Sequence, residues 1–500
     1  MTAIADRQNN YIDRKLYGFI LFLVVFIPFE DFVLKFMPVP DKIYFYARFL
    51  SELSVYGAFI AVCIQKVISG KAFFRTPLDP PIFLFLQIAI VSAIANGSGL
   101  FESIVNIRPV FRYVVLFYII VNIKISSSQA NQILKYTIYA GVAQLGIALL
   151  QFLSRGALDS ILQPRATDVA IGGATKDFVL LSGREIGSVY GATGDTILFA
   201  SFTTLFLILI LSKMYIINHP IFGINKSSWE PTFIKRNNIL LSILIGITII
   251  LTSFTYARIC MMISIVIVLG YALLKFYKRK RIAILVIVFS LALPLLPFGI
   301  DSFAEFRKQD YSDNARKEQQ SVLDNVSGIF TESYIHTARQ QRLGAIVDIP
   351  STVLFNKPFL GYGPDQLKTI DDLNNSKISF LTRKWEKQAF NDVYWSAQMA
   401  YYGIFGLFTL IWLFYRLQKW SRIIYHRTQN KVIKELSLSV IVITFTTIIL
   451  LFFNQFIEFR IYGLYFWLFP ALILNLYHQE KLSLRQKSRL SSQSNLEKTI

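Results

Sequence analysis

The sequence predicts an all-α fold: a polytopic membrane protein of about twelve transmembrane helices with a large extracytoplasmic loop that carries short helices. Three observations carry this expectation. The 500-residue chain is 54% hydrophobic and only 16% charged. Its apolar residues gather into long runs, most of them near the roughly 20 residues that a helix needs to cross a bilayer core. Short polar segments separate the runs, with the spacing of connections between consecutive spans.

Taken in order, the runs cover residues 16–35, 46–66, 80–96, 109–123, 133–153, 193–213, 238–254, 257–275, 281–300, 391–415, 435–456 and 460–478. The first follows about fifteen polar residues without a small-residue cleavage site, so it reads as a retained helix rather than a removed signal peptide. An even number of spans puts both termini on one side. Lys and Arg identify that side as cytoplasmic: its segments hold roughly 28 of the 51 basic residues, against about seven in the short loops opposite. Residues 1–299 then carry nine spans and a smaller outer loop near 154–192, and residues 300–390 form the large outer loop. Residues 391–478 carry the last three spans, and residues 479–500, rich in Ser, Gln and Lys, read as a disordered cytoplasmic tail.

Composition also excludes functions. The net charge of +20 lies mainly in cytoplasmic loops and the tail, where it suits an anionic leaflet, so no nucleic acid is implied. The large outer loop balances about twelve bases against about twelve acids, which is no polyanion-binding patch. Cys63 and Cys260 both lie in apolar runs, which supports neither a disulfide framework nor a cysteine metal site, and no cofactor is called for. Within the large loop, KQDYSDNARKEQQSVLDNVSG reads as mobile. HTARQQRLGAIVDI has helical spacing until Pro350 interrupts it, and NKPFLGYGPDQL reads as a Gly and Pro turn. No soluble catalytic domain is attached, so any chemistry belongs at the outer membrane face.

The stretch TIILTSFTYARICMMISIVIVLG, Thr248 to Gly270, is apolar almost throughout yet carries Arg258. A cation there costs several kcal/mol by some measures and is rare without a task. The expected topology puts Arg258 at an outer helix end, together with Arg108, Arg112, Arg48 near Glu52, Arg184, Arg339 and Arg342. Guanidinium stays charged near the apolar zone and binds phosphate bidentately, so a group of arginines at this boundary suits the diphosphate of a lipid-linked donor. The plainer alternative is that each arginine snorkels or pairs with a nearby acid, as Arg48 and Glu52, one turn apart, are expected to do. Arg339 and Arg342 share a helix face with His336 at spacings of three.

Several landmarks together resemble the O-antigen ligase and polymerase superfamily, membrane glycosyltransferases of the GT-C type. They are IRPVFRYVVLFYIIVN at Ile107 to Asn122, TYAR at Thr255 to Arg258, an Arg-bearing helix around Arg342, NKPFLGYGPDQ at Asn356 to Gln366 and NDVYWSAQMAYYGIFGLF at Asn391 to Phe408. The resemblance implies transfer or polymerisation of a glycan from an undecaprenyl-diphosphate-linked donor to a lipid or saccharide acceptor. The reaction would occur at the outer face of a bacterial plasma membrane, without metal or nucleotide. It gives Arg258 and Arg342 the diphosphate role; Arg339, Arg108, Arg112 and Arg184 from the arginine grouping, and Asn391 of the last motif, are expected as further substrate-binding residues. Family ligases carry a histidine before the Asn of the last motif; this chain has Phe390 there, and Tyr401 and Tyr402 stand before Gly403 where an acid is expected. A proton acceptor is still needed. His336 and Asp392 are the expected candidates, with Asp195 and the pair Glu458 and Arg460 behind them. Tyr362, Trp385, Tyr394 and Trp395 are candidates for stacking on sugar rings, whereas Gly361 and Gly363 are expected to shape a turn rather than cradle phosphate.

Two other classes compete: a transporter or flippase of lipid-linked sugars, and a non-catalytic scaffold for envelope synthesis. Acids within the runs lie toward outer ends and not at the midplane, which weighs against coupled transport.

Overall fold

The computed structural model describes residues 2–38, 40–154, 157–162, 189–218, 231–255, 257–276, 344–376, 390 and 393–497. Among the described residues there are helices and turns and no strand. In chain order the helices are α1 (Thr2–Phe26), α2 (Glu30–Lys35), α3 (Asp41–Ala47), α4 (Leu50–Ile68), α5 (Asp79–Ala95), α6 (Leu100–Phe111), α7 (Val114–Asn122), α8 (Ser127–Leu153) and α9 (Asp159–Leu162). They continue with α10 (Thr196–Asn218), α11 (Pro231–Ser253), α12 (Arg258–Phe276), α13 (Gly344–Asn356), α14 (Gln366–Asn374), α15 (Tyr394–Arg427), α16 (Lys431–Leu450) and α17 (Arg460–Glu497).

Seven helices are long and apolar enough to cross a membrane, and eight if α6 and α7, bent by 49° at their junction, count as one span. α5, α11 and α12 fall short by the length of their apolar stretches among the described residues. The run at 281–300 and the first half of the large loop lie outside the described residues.

Burial sorts the bundle into centre and rim. The most apolar stretch of α17 is 94% buried and that of α10 78%, against 22% for α4. α17 packs on α7 and α16, α10 packs on α11, α12 and α16, and α15 bridges α16 and α5. The apolar faces of the rim helices, including Ile60, Ile64 and Val67 of α4, are exposed, as a lipid-facing surface requires.

Two expectations change. Pro350 does not end its helix: α13 runs through it to Asn356. Ala345, Ile349 and Val353, spaced by one turn, are fully buried on the side facing α15, and that packing offsets the lost amide donor. The tail is also not irregular. α17 continues to Glu497, because a helix already nucleated in the bundle meets no Pro or Gly after Pro470 and runs on through residues of good helix propensity.

Candidate functional site

Ion pairs and hydrogen bonds bring α2, the start of α4, the α6–α7 junction and the starts of α15 and α17 to one end of the bundle. The turn before α10, tied to the Phe254 carbonyl and through Gln144 to the Pro28 carbonyl, sets the starts of α10 and α12 there too. Three constructions sit there: an ionic cluster, a docked loop and a capped turn.

The ionic cluster gathers at the elbow between α6 and α7. Pro109 deprives the last turn of α6 of an amide donor, and regular helix resumes only at Val114. Arg112 lies at this elbow and Arg108 one turn before it. Both reach a single acid, Glu52 of α4, at 3.0 Å from Arg112 Nε and 3.4 Å from Arg108 Nε. Tyr56 donates its hydroxyl to Glu52 Oε1 at 2.9 Å, and the Arg108 guanidinium lies 4.6 Å over the Phe49 ring. Beside this group, Arg460 meets Glu30 at 3.0 Å and Arg48 meets Asp31 at 3.1 Å. Glu30, Glu52 and Arg112 are 2%, 4% and 7% exposed, so these are interior ions.

The expected pairing of Arg48 with Glu52 is therefore replaced. Arg48 turns to Asp31 across the α2–α4 connection, and Glu52 faces the two arginines of the elbow, because the interface with the α6–α7 unit buries it. Glu458 and Arg460, neighbours in sequence, also part: Arg460 goes to Glu30, while the Glu458 carboxyl lies against Arg112 and Tyr394. Glu458 ends the 3-10 turn Phe456–Glu458, which the buried Phe456 and Ile457 pin to the bundle. Arg112 also approaches the Glu458 backbone carbonyl at 3.5 Å. Burial pushes the Glu458 carboxyl up to about 8, against the lowering effect of Arg112 and the Tyr394 hydroxyl.

The docked loop is residues 357–365. α15 is broken at Gly403, whose φ of 65° and ψ of −163° lie outside the helical region. The break frees backbone groups inside the bundle, and the loop satisfies them. Tyr362 and Gly363 donate their amides to Ala400 and Tyr401 carbonyls at 2.7 and 3.0 Å, and Ile404 donates to Pro358 at 2.8 Å. The two chains approach so closely that a Cβ on Gly403 would stand 2.4 Å from Phe359 backbone atoms, and one on Gly361 2.4 Å from the Ala400 oxygen. Ser92 of α5 donates its hydroxyl to Leu360 and Tyr401 carbonyls. Asn106 of α6 donates to the Pro364 carbonyl at 2.7 Å, and Lys357 to Asn96 Oδ1 at 2.9 Å. The loop thus joins α5, α6 and α15 at the end where the ions lie.

The capped turn is residues 189–195. Gln151 accepts the Tyr190 and Gly191 amides, each at 3.0 Å, and Gln144 accepts that of Ala192 at 2.9 Å while donating to the Pro28 carbonyl at 2.7 Å. Val189 donates to the Phe254 carbonyl at 3.1 Å, which ties the turn to the segment leading into α12. Asp195 accepts the Ile197 amide at 2.6 Å as the cap of α10, so it serves the helix start.

Of the predicted site residues, Arg108 and Arg112 are brought together, and Arg258 opens α12 at the same end. The side chain of Arg258 and the whole of Arg184, His336, Arg339, Arg342, Trp385, Asn391 and Asp392 lie outside the described residues. Tyr362 and Tyr394, expected as stacking platforms, are 4% and 1% exposed and act as core. Trp395 donates to the Ile448 carbonyl at 3.2 Å and packs on Phe414 and Phe452. Chemically, two guanidinium groups sharing one carboxylate leave cationic character at the elbow.

The class these features define is an all-helical protein, among the described residues, with several helices long and apolar enough to cross a membrane and a buried ionic cluster at one end. No family model matches the chain, and no curated protein matches it significantly.

Proposed function

We propose that the protein is a metal-independent membrane glycosyltransferase that transfers or polymerises a glycan from an undecaprenyl-diphosphate-linked donor onto a sugar hydroxyl. Its site lies at the arginine-bearing end of the bundle, on the extracytoplasmic side of a bacterial plasma membrane, with both termini cytoplasmic. The supporting observation is the elbow: Arg108 and Arg112 converge on one carboxylate, and the motif segments at 107–122, 356–366 and 394–408 interlock there through Asn106, Ser92 and the break at Gly403. Guanidinium groups held in place before the ligand arrives bind a diphosphate with little loss of side-chain freedom. Arg258, Arg339 and Arg342 complete the diphosphate grip in this reading, with Arg184 and Asn391 as further substrate-binding residues.

A strain lacking the protein tests the reading. If it is a polymerase, the strain carries single repeat units on the acceptor; if it is a ligase, polymer accumulates on undecaprenyl diphosphate. Surface polysaccharide normal in amount and length removes both roles. A non-catalytic scaffold would tolerate Arg258→Ala and Arg342→Ala at normal protein levels, whereas the enzyme loses glycan formation.

A further inference from the structure

Three acids at this end are committed to arginines: Asp31 to Arg48, Glu30 to Arg460, and Glu52 to Arg108 and Arg112. Glu458 differs. Among the described residues it has no salt bridge, and the residue as a whole is only partly buried. From the α6–α7 unit it faces Arg112, and from α15 the tyrosines Tyr394, Tyr401 and Tyr402; Arg460, two residues on, is engaged by Glu30. It sits in a turn between α16 and α17, on a backbone pinned by Phe456 and Ile457 and touched by Arg112. The residue is therefore held on a pinned backbone, without an ion-pair partner within salt-bridge distance among the described residues, and next to the guanidinium that the proposed donor would approach.

We infer that Glu458 is the general base of the transfer proposed above, accepting the proton of the attacking sugar hydroxyl; the inference rests on that reading of the site. In the step, the acceptor oxygen forms a bond to the anomeric carbon of the donor glycan. The bond from that carbon to the phosphate oxygen breaks, its electron pair leaves on undecaprenyl diphosphate, and the hydroxyl proton passes to the Glu458 carboxylate and then to water. Nothing is oxidised or reduced. Arg112 beside the carboxyl balances charge at the leaving diphosphate, so base and leaving-group stabiliser lie side by side. A carboxyl whose proton affinity burial has raised toward neutral pH suits this work, since a base is most effective with a pKa near the working pH.

The test uses full-length protein in nanodiscs with undecaprenyl-diphosphate-linked oligosaccharide, comparing wild type with Glu458→Gln and Glu458→Asp. The expected result is wild-type transfer that rises with pH to a plateau above about 8, because the base must be ionised. Glu458→Gln should lose at least about 100-fold in turnover while binding the donor as wild type does. Glu458→Asp should keep part of the rate with its acid limb displaced. Should Glu458→Gln fail to accumulate, the displaced limb in Glu458→Asp decides the same point. Active wild type with a Glu458→Gln variant of equal rate and unchanged pH profile overturns the role of Glu458 and leaves the transferase reading standing. No transfer by donor-bound wild type overturns the transferase reading and the inference with it.

Discussion

α17 passes through both ends of the bundle, and the two are finished in different chemistry. At 475–479 it offers neutral amides. Asn475 donates to the Ile120 and Ile123 carbonyls at 2.7 Å each, and Gln479 to Ile125 at 3.0 Å, which closes the C-terminal end of α7. Fifteen residues earlier, roughly 22 Å along the axis at 1.5 Å per residue, the same helix offers Arg460 to Glu30 in a cluster of interior ions. The amide end shows that closing helices in this bundle needs no charge. Interior ion pairs are a poor source of stability, since apolar replacements of similar volume are often as stable or more so. The ionic end therefore has its reason outside stability, which is the physical ground for placing the proposed site there.

Substitutions sharpen this comparison. The largest effect belongs to Glu52→Ala, which strands Arg108 and Arg112 without their carboxylate. A loss of about 3–5 kcal/mol is expected, seen as poor accumulation of folded protein in detergent. Replacing Glu52 and both arginines together by apolar residues should restore stability but not activity; restoration of both would remove the functional argument for the cluster.

Next comes Gly403→Ala, which forces a side chain onto Phe359 backbone atoms and into a φ of 65°. Strain of roughly 1–3 kcal/mol from the dihedral alone, plus the clash, should lower the melting temperature and loosen residues 357–365 to proteolysis. At the opposite end Asn475→Ala leaves two carbonyls unpaired and should cost about 1–3 kcal/mol in thermal unfolding with no change in turnover of the folded fraction. Arg48→Ala breaks the pair with Asp31, whose side chains are 22% and 16% exposed, and should cost about 1 kcal/mol or less.

Stability should also depend on pH. Because burial holds the Glu458 carboxyl at about 8, above its ordinary value, the folded state binds the proton more tightly than the unfolded chain. Its contribution is whole in acid and is lost as pH rises through the window from about 4.5 to about 8. Wild type should melt progressively lower across that window, and Glu458→Gln should show a shallower decline.

The helical runs were legible because lipid imposes a length and a composition on each span, so periodicity and hydropathy alone place α1, α4, α8, α10, α16 and the start of α17. Asn356 to Gln366 was legible as a turn but not as a partner for α15, because backbone pairing across a broken helix leaves only Gly361 and Gly403 as traces. Partners in the ionic cluster were illegible. Arg460 and Glu30 lie 430 positions apart, and Glu52 has Arg48 one turn away yet binds arginines of another helix. Nearness in sequence predicts pairs on an isolated helix. In an interior cluster, the packing of α4 on α7 and of α17 on its neighbours decides instead.

The central claim is that this end of the bundle grips a lipid diphosphate and moves its glycan. Purified protein incubated with undecaprenyl-diphosphate-linked oligosaccharide and acceptor should release the carrier in step with glycan growth, without added metal, and Arg258→Ala should abolish both. Unaltered donor in the presence of folded wild-type protein and acceptor, or an Arg258→Ala variant as active as wild type, would contradict the account.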